Sequence, residues 1–107
     1  MKVDTTNLQA AGAVRVTGAQ TAKIRLVRGH PVEEFYPAAA RSEGLDAIVV
    51  VDLLINDLGL VVEAEVLSES PAGKGFGLAA LDAVKTYEFE NPLKKLVLMS
   101  MTIRFVP

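Results

Sequence analysis

Residues 73 to 77 read GKGFG, between a strand-like run, VVEAEVL, and a helix-like one, LAALDAVKTY. Strand, glycine-rich loop and helix N-terminus is the order in which proteins cradle phosphate, because the first turn of a helix offers unpaired amides. The spacing does not carry that chemistry. A Walker-type loop needs its lysine directly before Ser or Thr, whereas Lys74 precedes Gly75. Gly73, Gly75 and Gly77 read GxGxG rather than GxGxxG, and some 20 residues on stand Leu96 to Leu98 in place of an acidic residue. The stretch is read as a flexible entry to a helix. His30 is the single histidine, between glycine and proline, with no second ligand or nucleophile near it in sequence. Glu33 and Glu34, Glu63 and Glu65, and Glu88 and Glu90 form three acidic pairs. Solvation on strand faces, helix ends or loops accounts for them without acid–base work. Met99 and Met101, at strand spacing, read as core filler rather than cofactor contacts. No catalytic, cofactor-binding or metal site emerges, and the expectation is a protein that is not an enzyme.

Composition sets the bounds on what the elements can build. The chain has 107 residues, half of them apolar, which suits one compact domain. A net charge of −2 argues against nucleic acid, since affinity for a polyanion is built from an excess of Lys and Arg. With no cysteine, disulfides and thiolate metal sites are excluded. No apolar run reaches the roughly 20 residues of a membrane helix, and MKVDTTNLQA lacks a signal-peptide core.

Residues 1–20, rich in Ala, Gly, Thr and Gln, are expected to be a flexible N-terminal arm, with the domain proper spanning 21–107. TAKIRLVR alternates and can lie extended along a larger body. Pro37 suits a first helical position, AAAR follows, and Gly44 can supply the left-handed stop. From Ala47 to Asn56 the chain is strand-like, with Val49, Val51, Leu53 and Ile55 on one face. Asn56 to Gly59 forms a turn, and Leu60 to Leu67 returns as the second strand of a hairpin. Ser68 to Gly77 is read as loop. Leu78 to Tyr87 then places Ala80, Leu81, Val84 and Tyr87 on one helical face. Asn91 and Pro92 stop the chain before a long strand from Leu96 to Val106, whose inward set is Val97, Met99, Met101, Ile103 and Phe105. The expected fold is α+β in two layers. A three-stranded antiparallel or mixed sheet of order strand, strand, helix, strand carries a short N-terminal helix and one longer helix on one face.

A helical crossover brings the second and third strands parallel, so the last strand sits beside the first and becomes an edge. Between Leu96 and Val106 it has one charge, Arg104, and no proline, so little protects it against pairing with another chain. On the face opposite the helices, Ile48, Val50 and Leu54 form a second apolar row that TAKIRLVR or a partner must cover.

Taken together, several marks resemble the C-terminal domain of the TonB family of energy transducers. They are Tyr36 with Pro37, Ala40 and Arg41 before Gly44, and Ile55 and Asn56 followed by Gly59 and Val61. Ser68 and the run Ala79, Ala80, Leu81, Ala83, Val84 leading to Tyr87 and Phe89 complete them. The upstream VRVTGAQTAKIRLVRGHPVEEFYP also resembles the family's lead-in, so the likeness spans about Val14 to Phe105. Three departures stand out. Tyr87 replaces the usual Trp, Asn56 an acidic residue, and Pro92 falls one position late before a short NPLKK. The family's membrane helix and proline-rich spanning segment are missing from this chain.

The resemblance implies a periplasmic domain that binds the N-terminal peptide of outer-membrane transporters by strand addition, supporting energy-dependent uptake of iron chelates or similar nutrients. It would reach inner-membrane motor proteins only through the missing anchor. The implied partner-binding residues are Leu96, Val97, Leu98, Met99, Ser100, Met101, Thr102, Ile103, Arg104 and Phe105, with Tyr36 and Pro37 as a second contact. Two other readings remain open: a stand-alone dimerisation or interaction domain pairing through the same edge, and a small anion-binding enzyme using GKGFG.

Overall fold

The computed structural model describes residues 12–107. The main sheet has four strands in the order β1 (Val14–Arg15), β6 (Val97–Phe105), β3 (Ala47–Ile55), β4 (Val61–Ser70). A separate two-stranded ladder joins β2 (Arg25–Arg28) to β5 (Glu88–Glu90). Helix α1 (Ala38–Arg41) is one turn and α2 (Phe76–Val84) is longer; two 3-10 turns cover Gly18–Lys23 and Val32–Phe35. The α+β class is as expected, but the sheet gains a fourth strand. That strand comes from the region read as a loose arm.

Nine residues of β3 pair antiparallel with β6, from Ala47 opposite Phe105 to Ile55 opposite Val97. On its other side β3 pairs antiparallel with β4, so β4 and β6 are parallel, as a helical crossover requires. The alternation reads true on the helix face: Val49, Val51, Leu53 and Ile55 are all fully buried, as are Val97, Met99, Ile103 and Phe105 nearly so. Met101 is half-buried. Instead of ending at Leu67, β4 runs on to Ser70, because bulges at Val62 and Leu67 each insert one residue opposite β3. The bulges reset the alternation, which puts Glu63, Glu65, Ser68 and Ser70 on the face away from the helices.

Helix α2 begins two residues before Leu78 because Gly75, at φ 88°, takes the left-handed conformation that caps it. This earlier start carries Phe76 into the core, where it is fully buried. Its ring lies 5.4 Å from Tyr36 and 5.3 Å from Phe105, and each such aromatic pair adds about 0.5–1.5 kcal/mol beyond its buried area. Ala79, Ala80 and Ala83 face inward and let the helix lie close to the sheet. Leu81, expected on that face, is half-buried, and Leu78 is exposed.

The hairpin turn is tied by Asn56, whose Oδ1 accepts from the amides of Leu58 and Leu60 at 2.9 and 3.0 Å. Both bonds use the side-chain oxygen as acceptor, a role that a carboxylate could also fill. Gly59, at φ 87°, accepts at its carbonyl from the Phe89 amide at 2.8 Å, and a Cβ there would fall 1.8 Å from the Phe89 carbonyl oxygen. TAKIRLVR does not cover the apolar row opposite the helices. Ile24 enters the main core and Arg25–Arg28 pairs with β5, where Arg28 meets Glu88 at 3.3 Å. Glu88 and Glu90 are therefore strand residues with cross-strand arginine partners, not loop carboxylates. Tyr87 is buried against Phe89 and beneath Gly29.

Two stability outcomes follow. Gly59→Ala forces a side chain into a left-handed position and against a carbonyl, and is expected to lower unfolding free energy by about 2 kcal/mol or more. An unchanged urea midpoint would contradict this. Burial, with the nearby charge of Glu33 adding to it, raises the Tyr87 phenol above its ordinary value. The folded chain therefore holds this proton at pH values where the unfolded chain has released it. Stability is unaffected below about pH 10 and falls as pH rises from there toward the raised value. In Tyr87→Phe the alkaline fall measured by urea titration should be shallower than in the parent; an identical slope contradicts the assignment.

A candidate docking edge

Main-chain groups of a strand alternate sides, so the direction of one fixes the rest. The carbonyls of Leu96 and Leu98 accept from the amides of Val14 and Val16, both at 3.0 Å, and so point away from β3. By alternation the amides and carbonyls of Ser100, Thr102 and Arg104 point the same way, while Met99, Met101, Ile103 and Phe105 bond to β3. Strand β1 covers this outer side at Val97 and Leu98, running parallel to β6. Beyond Leu98, no strand among the described residues pairs with it.

The expectation of a wholly open border from Leu96 to Phe105 is thereby corrected. Leu96, Val97 and Leu98 already have an internal partner, and the portion open among the described residues is Met99 to Phe105. What holds β1 there is a polar cluster. Arg15 Nη2 donates to Asp52 Oδ2 at 2.7 Å and its Nη1 to Ser100 Oγ at 3.2 Å, while Ser100 Oγ donates to Asp52 Oδ1 at 2.5 Å. Asp52 is wholly inaccessible to solvent, and a carboxylate in that position needs a cation and donors. Beside this cluster Ala13 and Leu96 pack on Leu54 and Leu98, covering one end of the second apolar row. Ile48 stays exposed at the other end. Val16 turns the opposite way into the main core.

Of the expected arm, residues 1–11 lie outside the described residues; residues 14–16 are part of the fold. Neither Arg15 nor Asp52 was singled out from sequence. The signal was present in AIVVVDLLI, where one acid sits inside an apolar strand and calls for a distant partner.

Tyr36 does not serve as an exposed second contact. It is buried, its hydroxyl donates to the Leu45 carbonyl at 2.5 Å, and Arg41 stacks 4.8 Å from its ring centroid. Pro37 is half-buried and lies under Gly75. Along β6, Ser100, Thr102 and Arg104 are the exposed side chains.

The glycine loop holds no vacant anion cradle. The Gly77 amide donates to Glu69 Oε2 at 3.1 Å, so an internal carboxylate occupies the helix N-terminus, and Lys74 pairs with Glu43 at 3.1 Å. His30 is exposed and bonded to Glu34 at 3.2 Å. Among the described residues no three His, Cys, Asp or Glu side chains are grouped to hold a metal.

The profile of the family described as Gram-negative bacterial TonB protein C-terminal matches residues 32–107. The chain belongs to the TonB C-terminal family. The solution NMR structure of the Pseudomonas aeruginosa TonB CTD shares its fold, with a TM-score of 0.60 at 20% identity over 87% of this chain and 92% of that one. No curated protein matches. The TonB profile begins at Val32, so β1, the 3-10 turn at Gly18–Lys23 and β2 lie before it. The chain is thus a TonB-type energy-transducer domain, a family of protein-interaction rather than catalytic modules. No helix among the described residues is long and apolar enough to cross a membrane.

Arg15→Ala leaves Asp52 without this cation and releases β1. The expected cost is about 2 kcal/mol in unfolding free energy. It should be accompanied by loss of amide protection at Val14 and Val16. Retained protection at both positions would show that the pair does not hold the strand.

Proposed function

We propose that this domain acts in the periplasm by adding the extended N-terminal peptide of an outer-membrane transporter to the outer side of β6, between Met99 and Phe105. One observation carries the reading: the outward main-chain groups of Ser100, Thr102 and Arg104 have no strand partner among the described residues. Membership of the TonB C-terminal family supports this reading; the proposed partner is an outer-membrane transporter and the proposed process the uptake of iron chelates or similar nutrients.

Backbone pairing suits a connection that is pulled. Each main-chain hydrogen bond contributes a net 0.5–1.5 kcal/mol, roughly, so the few bonds available give modest affinity while sharing a load along the strand. Because the side chains of β6 alternate, a visiting peptide meets Met101 on the helix side and Ser100, Thr102 and Arg104 on the other. Strand β1 abuts the open portion. A peptide longer than that portion has to displace Val14–Arg15 and its bond to Asp52, which limits the length it can pair over without opening the fold.

Titration of the isotope-labelled domain with a short extended peptide from a transporter N-terminus is expected to shift the amides of Met99 to Phe105. Thr102→Pro removes an outward amide at a position where an edge strand accepts proline, and should weaken binding at least about tenfold while leaving the fold intact by circular dichroism. Unmoved amides along β6 at millimolar peptide would overturn the proposal. So would concentration-dependent sedimentation without peptide that Thr102→Pro abolishes, since two copies would then be using the edge.

A further inference from the structure

Strand β1 covers the border that a longer peptide would use, and few contacts hold it there. From Gly12 to Lys23, Val16 is the single buried residue, and the 3-10 turn at Gly18–Lys23 buries none. Among the described residues β1 pairs with β6 alone, through the amides of Val14 and Val16 on the carbonyls of Leu96 and Leu98. Gly12 and Gly18 bracket the segment in left-handed turns, at φ 85° and 54°, each with open space where a Cβ would stand. Glycine changes backbone region without a Cβ clash, so both ends are built to hinge.

We propose that β1 is an autoinhibitory strap on the docking edge, an inference that rests on the β6 reading above. Closed, as described, it confines a visiting peptide to Met99–Phe105. Swung out on Gly12 and Gly18, it frees the carbonyls of Leu96 and Leu98 as well. A peptide long enough to pair from Leu96 to Phe105 then gains bonds that a short one does not, and its observed affinity is lowered by the fraction of chains in which the strap is closed.

The closed state is favoured by the burial of Val16 and by the reach of Arg15 across β6 to Asp52. Opening gives up both, but little else. The Arg15 side chain is already 32% exposed. Asp52 keeps the Ser100 hydroxyl as a donor when the guanidinium leaves. The nine-residue pairing of β3 with β6 and the packing of Phe76 on Tyr36 and Phe105 do not involve β1. The TonB profile covers β3, β4, α2 and β6 and begins after the strap. A segment with one buried side chain, hung on an intact sheet, opens locally at a lower free energy than the whole domain unfolds.

The probes are two capped peptides from one transporter N-terminus, of about five and about ten residues, titrated into the labelled full chain and followed by amide NMR. In the parent, the longer peptide should shift Val14 and Val16 together with Met99 to Phe105, and the shorter one Met99 to Phe105 alone. In Arg15→Ala, affinity for the longer peptide should rise at least about tenfold while that for the shorter stays within about twofold. Without peptide, the amides of Val14 and Val16 in the parent should exchange at least about tenfold faster than those of Val49 and Val51, at a rate that low urea does not change. The strap alone is overturned if β6 binds both peptides but Arg15→Ala changes their affinities equally, if the longer peptide leaves Val14 and Val16 unmoved, or if those amides exchange in step with Val49 and Val51. No shift along β6 with either peptide overturns the docking reading, and the strap's role with it.

Discussion

Every amide and carbonyl of β6 that points away from β3 needs a partner, and the described fold supplies one at the start of the strand alone. That constraint organises the rest of the molecule. β3 locks the inner side of β6 over nine residues, and the rings of Tyr36, Phe76 and Phe105 clamp its far end to α2 and to the turn before α1. The strand is therefore held firmly while part of its border has no strand partner among the described residues, which is the condition for accepting a foreign backbone without the cost of ordering the acceptor. Were β6 loosely held, the same hydrogen bonds would be spent on ordering the domain.

The Arg15–Asp52 pair sets where the unsatisfied portion begins. Isolated two-residue strands have no stability of their own. Val14–Arg15 persists because a guanidinium reaches a carboxylate inaccessible to water and Val16 fills the core behind it. The charge that fixes β1 also fixes the limit of the open border, at Ser100, whose hydroxyl is bonded to both members of the pair.

Much of the scaffold was legible in the chain. Period-two alternation in AIVVVDLLI and LVLMSMTIRF located the two central strands and their buried faces, and Asn56 with Gly59 located the hairpin, because those signals arise from local geometry. The family marks were legible for the same reason: they are turn, cap and core positions at fixed spacing. Strand β1 was not. Val14 and Arg15 are too few to show alternation, and what orders them lies 37 residues away at Asp52. Tyr36 read as a surface contact beside Pro37, since its burial depends on Phe76 and Phe105, which sequence does not place beside it. The end of β4 was misplaced because bulges at Val62 and Leu67 break the period on which strand reading relies. The GKGFG loop shows how a ligand-like pattern resolves internally. Glu69 meets the helix amide that a phosphate would seek, so the loop's glycines serve the helix start.

The most direct test of an open border is amide hydrogen exchange along β6 in the free domain. The account predicts alternation: slow exchange at Met99, Met101 and Ile103, which bond to β3, and fast exchange at Thr102 and Arg104, which face outward. Uniform protection across Met99 to Phe105 would mean that the border is already occupied, and would contradict the account.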